Sequence, residues 1–137
     1  MKILNKGSNA RLVYEENGYV YKFCYEPDKE ADLIRKLYND GWPIIPVKCI
    51  GKNKYGTYIK LQYIEHKDNY NKNSVIEQLE ELKENLVNFT YFHGDIHIDN
   101  LIVDFYGNIW FIDPWTDGTN TRAMDLYNLN ELIKEIK

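Results

Sequence analysis

The chain has little of what would cross-link it, anchor it or let it work by charge alone. Cys24 and Cys49 are its only cysteines and have no Cys-x-x-Cys spacing, so both are expected reduced, in or beside strands. Arginine is confined to Arg11, Arg35 and Arg122, no Lys/Arg run occurs, and the formal net charge is −4. That balance argues against a nucleic-acid binder relying on overall basicity. No apolar stretch approaches the roughly 20 residues of a membrane span. Met1-Lys2-Ile3-Leu4-Asn5 is too short an apolar start for a secretory signal. These absences predict a cytoplasmic protein that binds neither nucleic acid nor membrane. At 137 residues, with ordinary apolar content, one domain with a real core is expected.

What the chain does have is a polar loop set before two apolar strands. His93-Gly94-Asp95-Ile96-His97-Ile98-Asp99-Asn100 leads into Leu101-Ile102-Val103, a Gly-Asn turn, and Ile109-Trp110-Phe111-Ile112-Asp113. The pattern predicts a hairpin with Asp95, Asn100 and Asp113 gathered at one end. Phosphoryl transfer needs such a group: a carboxylate to orient the acceptor hydroxyl, and an amide with a second carboxylate to hold magnesium.

The remainder reads as short strands and three amphipathic helices. Met1 to Leu4, Leu12 to Tyr14 and Tyr19 to Phe23 are strand-like, and Glu16-Asn17-Gly18 marks a hairpin turn. Pro27-Asp28 opens a helix with Asp28 as expected N-cap, apolar at Ala31, Ile34, Leu37 and Tyr38, and stopped by Gly41-Trp42-Pro43. Strands over Ile44–Gly51 and Tyr55–Glu65 turn at Lys52-Asn53-Lys54. His66 to Asn73 is a polar connector. Ser74-Val75-Ile76-Glu77 reads as a capping box, opening a helix to about Val87 with Ile76, Leu79, Leu82 and Leu86 inward. Arg122 to Ile136 reads as a last helix with Leu126, Leu129, Leu132, Ile133 and Ile136 inward.

His-x-Asp-x-x-x-x-Asn followed by a hairpin ending in Asp resembles the catalytic loop and metal-binding Asp of the protein-kinase fold. With Gly94 after His93 and His97 two residues after Asp95, it is most similar to the aminoglycoside phosphotransferase, choline kinase and RIO-type branches. Ordinary Ser/Thr/Tyr kinases carry Arg and Lys at those two places. Where kinases have Asp-Phe-Gly, this chain has Asp113-Pro114-Trp115, so an activation loop gated by that Phe is not implied. The resemblance runs from Leu4 to Leu126. It implies an α+β, bilobal kinase-like fold in one compact domain. Residues 1–65 would be an N-lobe with a five-stranded antiparallel sheet and one helix, and residues 66–137 a reduced helical C-lobe.

The same resemblance implies ATP and Mg2+ as cofactors and assigns a role to each site residue. Gly7, Ser8 and Asn9 would cover the phosphates. Lys22 would sit on the phosphates as the third-strand lysine, paired with Glu30, with Glu26 as the rival partner. Gln62 and Ile64 would offer backbone groups to adenine, with Leu61 bordering the pocket behind it and Val20, Ile102 and Ile112 as its apolar walls. Asp95 would be the catalytic base, and Asn100 and Asp113 would hold the metal. His97 lies where protein kinases place a lysine next to the transferred phosphate; an imidazole can donate a hydrogen bond there. His93 would brace the loop and Asp125 would support its backbone.

A competing assignment takes His93, Asp95, His97 and Asp99 as a transition-metal site, but the chain has only one further histidine, His66, and the kinase pattern already explains the flanking hairpin. Small-molecule kinases of this type carry helical insertions after the hinge and after the metal Asp. Here a short connector and Pro114 to Lys137 stand in those places. The acceptor site is therefore expected to have little wall, leaving three alternatives: a macromolecular acceptor, a partner or second copy completing the site, or nucleotide binding without transfer, as in a pseudokinase-like module.

Overall fold

Val20 and Lys22 alternate with Tyr19, Tyr21 and Phe23, and this alternation sets the two faces of a sheet. The computed structural model describes residues 1–4 and 10–137, so the predicted phosphate loop at Gly7, Ser8 and Asn9 lies outside the described residues. Five strands form one antiparallel sheet: β1 (Lys2–Ile3), β2 (Ala10–Glu16), β3 (Tyr19–Cys24), β4 (Val47–Asn53) and β5 (Gly56–Gln62), in the order β1-β2-β3-β5-β4. Asn17 at φ 55° and Gly18 at φ 84° close the β2–β3 hairpin, the positive-φ pair that a two-residue turn requires. On one face the aromatic side chains cover one another: Tyr14 stacks on Tyr21 at 5.0 Å, and Phe23 meets Tyr58 edge-on at 5.8 Å. On the other face α1 (Pro27–Asp40) packs Ala31 against Ile59 and Cys24.

Helix α1 begins two residues earlier than the expected Asp28 cap implies. Pro27 occupies the first helical position and Glu26 the cap, which places Asp28 in the first turn. The fixed φ of proline suits that position and its missing N–H costs nothing there. Gly41 ends the helix in the left-handed region at φ 110°, as its position implied. Tyr38 is exposed, whereas Glu30, Ala31, Ile34 and Leu37 are buried. Cys24 and Cys49 are both free, in β3 and β4.

The strand expected from Ile44 starts only at Val47. Ile44 and Ile45 turn instead toward a second, two-stranded sheet of β6 (Leu101–Val103) and β7 (Ile109–Phe111). The Phe111 N–H donates to Pro43 O at 2.6 Å, and the Ile45 N–H to Phe111 O at 3.3 Å. This tie joins the five-stranded part to the hairpin.

Helix α2 (Lys72–Asn85) is capped by Asn71, whose side chain accepts the Ser74 N–H at 2.9 Å, so Ser74 lies inside the helix instead of capping it. A 3-10 turn, Leu86–Asn88, continues it. Helix α3 (Arg122–Ile136) is capped by Thr121 and buries Asp125, Leu129, Leu132, Ile133 and Ile136. Because Asp125 turns inward, Leu126 one residue on turns out and is 40% exposed, contrary to its predicted place in the core. Ile34, Leu37, Trp42 and Ile44 share one core with Leu79, Leu82, Phe111 and Leu129. Among the described residues no helix is long and apolar enough to cross a membrane.

Candidate active site

The loop from His93 to Asn100 is held from three sides. Behind it, Asp125 in the first turn of α3 is fully buried and accepts the N–H groups of His93 at 2.7 Å and Gly94 at 2.9 Å. Burial pushes its carboxyl up to about 6, against the pull of those two hydrogen bonds. Within the loop, His93 is also fully buried; its Nδ1 accepts the Asp95 N–H at 3.1 Å, so its proton sits on Nε2 and is donated to Ile112 O at 2.8 Å. Burial lowers this imidazole to about 4 and keeps it neutral, a brace and not an acid. Ahead of the loop, the Ile112 N–H donates to Asn100 O at 3.0 Å, locking the end of the hairpin onto the end of the loop.

Asp95 and Asn100 then face each other. The Asn100 amide nitrogen donates to Asp95 O at 2.8 Å and to Asp95 Oδ2 at 3.1 Å, which fixes the carboxylate and turns the amide oxygen away. His97 Nδ1 accepts the Asp99 N–H at 3.2 Å, and its Nε2 lies 3.1 Å from the Asn100 amide nitrogen and 3.5 Å from Asp95 Oδ1.

The hairpin delivers Asp113 with φ 55°, a left-handed backbone uncommon outside glycine. There its Oδ1 meets Lys22 Nζ, whose other partner is Glu30 Oε2 at 2.6 Å. Of the two carboxylates weighed as partners of Lys22, Glu30 is the one that reaches it. Glu26 is exposed and lies 3.7 Å from Lys29. Burial pulls the Lys22 ammonium down, but Asp113 and Glu30 outweigh it and hold it above its ordinary value, charged. Burial likewise raises Glu30, partly offset by Lys22.

A cavity of about 890 Å³ lies between the sheet and this loop. Lys22, Glu30, Asp95, His97, Asn100 and Asp113 all line it, and so do Val20, Leu61, Ile64, Ile102 and Ile112. Gln62 does not line it; the neighbouring lining residue is Tyr63. The Tyr63 N–H donates to Gly18 O at 3.0 Å, and Tyr19 pairs with Gln62. By antiparallel alternation, the backbone groups of Gln62 then point away from β3. On that side β4 begins at Val47, opposite Leu61, and is preceded by Pro46, which has no N–H to give.

Three features of the site escaped the sequence. The contact of Lys22 with Asp113 spans residues far apart in the chain, beyond what helix or strand periodicity can register. Tyr63 differs from Gln62 only by strand parity. Asn120, whose amide reaches the carbonyls of Phe92, His93 and Trp115, carries no local signal beyond preceding a helix cap. Among the described residues no group of three or more His, Cys, Asp or Glu side chains is arranged to hold a metal, which leaves the transition-metal assignment without a donor set.

No known protein family matches the chain by sequence, and no curated protein does either. By structure it is similar to WbdD, with a TM-score of 0.70 and 14% identity over 99% of this chain and 37% of WbdD. It is also similar to the kinase PK-1 of Cydia pomonella granulovirus, with a TM-score of 0.66 and 15% identity over 99% of this chain and 68% of PK-1. The chain thus spans little more than a third of WbdD. At such identities the likeness is one of fold: the chain has an α+β fold similar to that of the kinase PK-1.

Proposed function

We propose that this chain is an ATP- and magnesium-dependent phosphotransferase that moves the γ-phosphoryl group of ATP to an acceptor hydroxyl. The observation that carries the reading is the convergence of Lys22 from β3, Asp95 and Asn100 from one loop, and Asp113 from the end of the hairpin on one cavity. Structural support alone does not require this set: an apolar lining would cost less than a buried lysine with two carboxylates. The donors left over fit magnesium, because Asn100 keeps its amide oxygen after its nitrogen binds Asp95, and Asp113 keeps its second carboxylate oxygen. Bound there, the metal would neutralise charge on the phosphates.

In this reading Asp95, held by Asn100, orients the acceptor hydroxyl and takes its proton as the oxygen attacks the γ-phosphorus. The bond to the β–γ bridging oxygen breaks and ADP leaves. Lys22 steadies the phosphates, and His97 offers a hydrogen bond beside the transferred group. The Gln62 carbonyl would accept the adenine amino group with Ile64 nearby, and Val20, Leu61, Ile102 and Ile112 would enclose the base. Residues 1–65 and 66–137 would act as the two lobes. The acceptor wall would come from a macromolecular acceptor, a protein partner or a second copy.

The test is thermal unfolding with ATP, with magnesium and with both, followed by ATP turnover. Ligand at about a hundred times its dissociation constant adds roughly 2.7 kcal/mol, a shift of several degrees. A shift that needs both and is lost in Asp113→Ala, with turnover abolished and binding kept in Asp95→Ala, supports the reading. Equal turnover in Asp95→Ala refutes the base. Binding with no turnover in any condition favours the nucleotide-binding module instead.

A further inference from the structure

Asn120 lies outside the cavity, yet its side chain joins the two segments that carry the candidate catalytic groups. Its Nδ2 donates to the carbonyls of Phe92 at 2.9 Å, His93 at 3.2 Å and Trp115 at 2.8 Å. Phe92 and His93 lead directly into Gly94-Asp95, and Trp115 follows Asp113-Pro114. The Trp115 N–H returns a bond to His93 O at 2.8 Å. The approach to Asp95 and the exit from Asp113 are thereby tied in one knot.

The amide orientation is forced, because reversing it would set Oδ1 against three carbonyl oxygens. The forced orientation has a cost. Oδ1 is buried and has no hydrogen-bond partner among the described residues. It lies over Gly94, where a Cβ would come within 2.2 Å of it. Gly94 itself sits at φ 84°, so the knot also accounts for the glycine beside Asp95. A side chain kept for packing alone would leave no buried acceptor unpaired; only its two donor protons explain an amide here.

We propose that Asn120 is a positioning residue, which acts through the backbone to fix Asp113 relative to Asp95 and Asn100. The inference rests on the phosphotransferase reading for what is positioned, but not for the knot itself. The test compares wild type with Asn120→Ala, Asn120→Ser and Asn120→Asp. The Asp variant keeps the shape and, ionised, replaces donors with acceptors. Backbone amide exchange at Trp115 reads the knot directly, with the Phe111 amide as internal reference. Calorimetry with ATP, with and without magnesium, reads the consequence.

Trp115 exchange is expected to rise about tenfold or more in the Ala and Asp variants and less in Ser, with Phe111 unchanged. Affinity for magnesium-ATP is expected to fall about 10- to 100-fold, as for lost supports of metal ligands, while ATP affinity without magnesium stays within about twofold. Wild-type exchange at Trp115 in the variants, or equal loss of affinity with and without magnesium, overturns the proposal. If Asn120→Ala fails to fold, the Ser and Asp variants decide by the same readings. A wild-type chain without magnesium-dependent ATP binding overturns the phosphotransferase reading and with it the positioning role; the exchange measurement still decides separately whether the knot exists.

Discussion

Lys22 shares its ammonium between Glu30 and Asp113, so one buried cation answers two carboxylates. Removing the cation strands the buried Glu30 charge. Lys22→Ala is therefore expected to destabilise the fold by roughly 3–5 kcal/mol, measured by urea unfolding. Asp113→Asn has the opposite logic. It leaves a one-to-one Lys22–Glu30 pair, and Asn tolerates the left-handed backbone that Asp113 adopts at φ 55°. Its midpoint without ligand is expected to match or exceed that of wild type, while any shift given by magnesium-ATP disappears. A lower midpoint without ligand would mean that Asp113 is held for stability and not for a ligand. Glu30 was legible as the lysine's partner because helical spacing from Ile34 and Leu37 put it on the buried face. For Asp113 the sequence offered only an expected metal-holding role, and its contact with Lys22 was not legible, since nothing local ties it to the third strand.

The first turn of α3 works on the loop as a unit, with Asp125 receiving the N–H groups of His93 and Gly94. Two buried titratable groups here oppose each other across the same acid range. The Asp125 carboxyl, raised from 3.8 to about 6, binds its proton more tightly when folded, so its contribution is lost as pH rises through that interval. His93, lowered from 6.5 to about 4, binds its proton more tightly when unfolded, so its contribution is lost as pH falls through that interval. In wild type the two slopes largely cancel between pH 4 and 6. Asp125→Asn should expose the His93 slope, up to about 3 kcal/mol lost on acidification from pH 6.5 to 4. It should also cost roughly 1–3 kcal/mol throughout, because one backbone N–H loses its acceptor. Urea midpoints taken across this range in both proteins check this; parallel pH profiles would remove Asp125 from its place behind His93. The helix itself was readable from the spacing of its leucines and isoleucines. That same spacing put Leu126 inside, because an apolar count cannot register that a buried carboxylate has claimed the inward position.

At the scale of the molecule, the separate strands and the three helices were legible from period-2 and period-3.6 patterning and the Asp95–Asn100–Asp113 grouping from one contiguous motif, while the joining of five strands into one sheet was carried only by the kinase resemblance. The connection between Ile44-Ile45 and β7 was not. An apolar run reads equally well as a strand start or as a bridge to a distant hairpin, and only the assembled fold decides. That connection places Phe111, fully buried, against Trp42 at 6.4 Å and His93 at 5.7 Å, while its backbone bonds reach Pro43 and Ile45. The core therefore runs across the boundary predicted at residues 65 and 66, with Ile34 and Leu37 in one cluster with Leu79 and Leu129. A shared core cannot come apart in halves without exposing both, so unfolding is expected as one transition, with far-UV dichroism and tryptophan fluorescence melting together. Phe111→Ala should lower stability by about 3–5 kcal/mol, a large part of the 5–15 kcal/mol usual for a domain. Both signals should move to the new midpoint together. A variant in which fluorescence melts first while half the dichroism survives would show that the sheet and the helices fold independently, and the cavity between them would then be a cleft between two separable units.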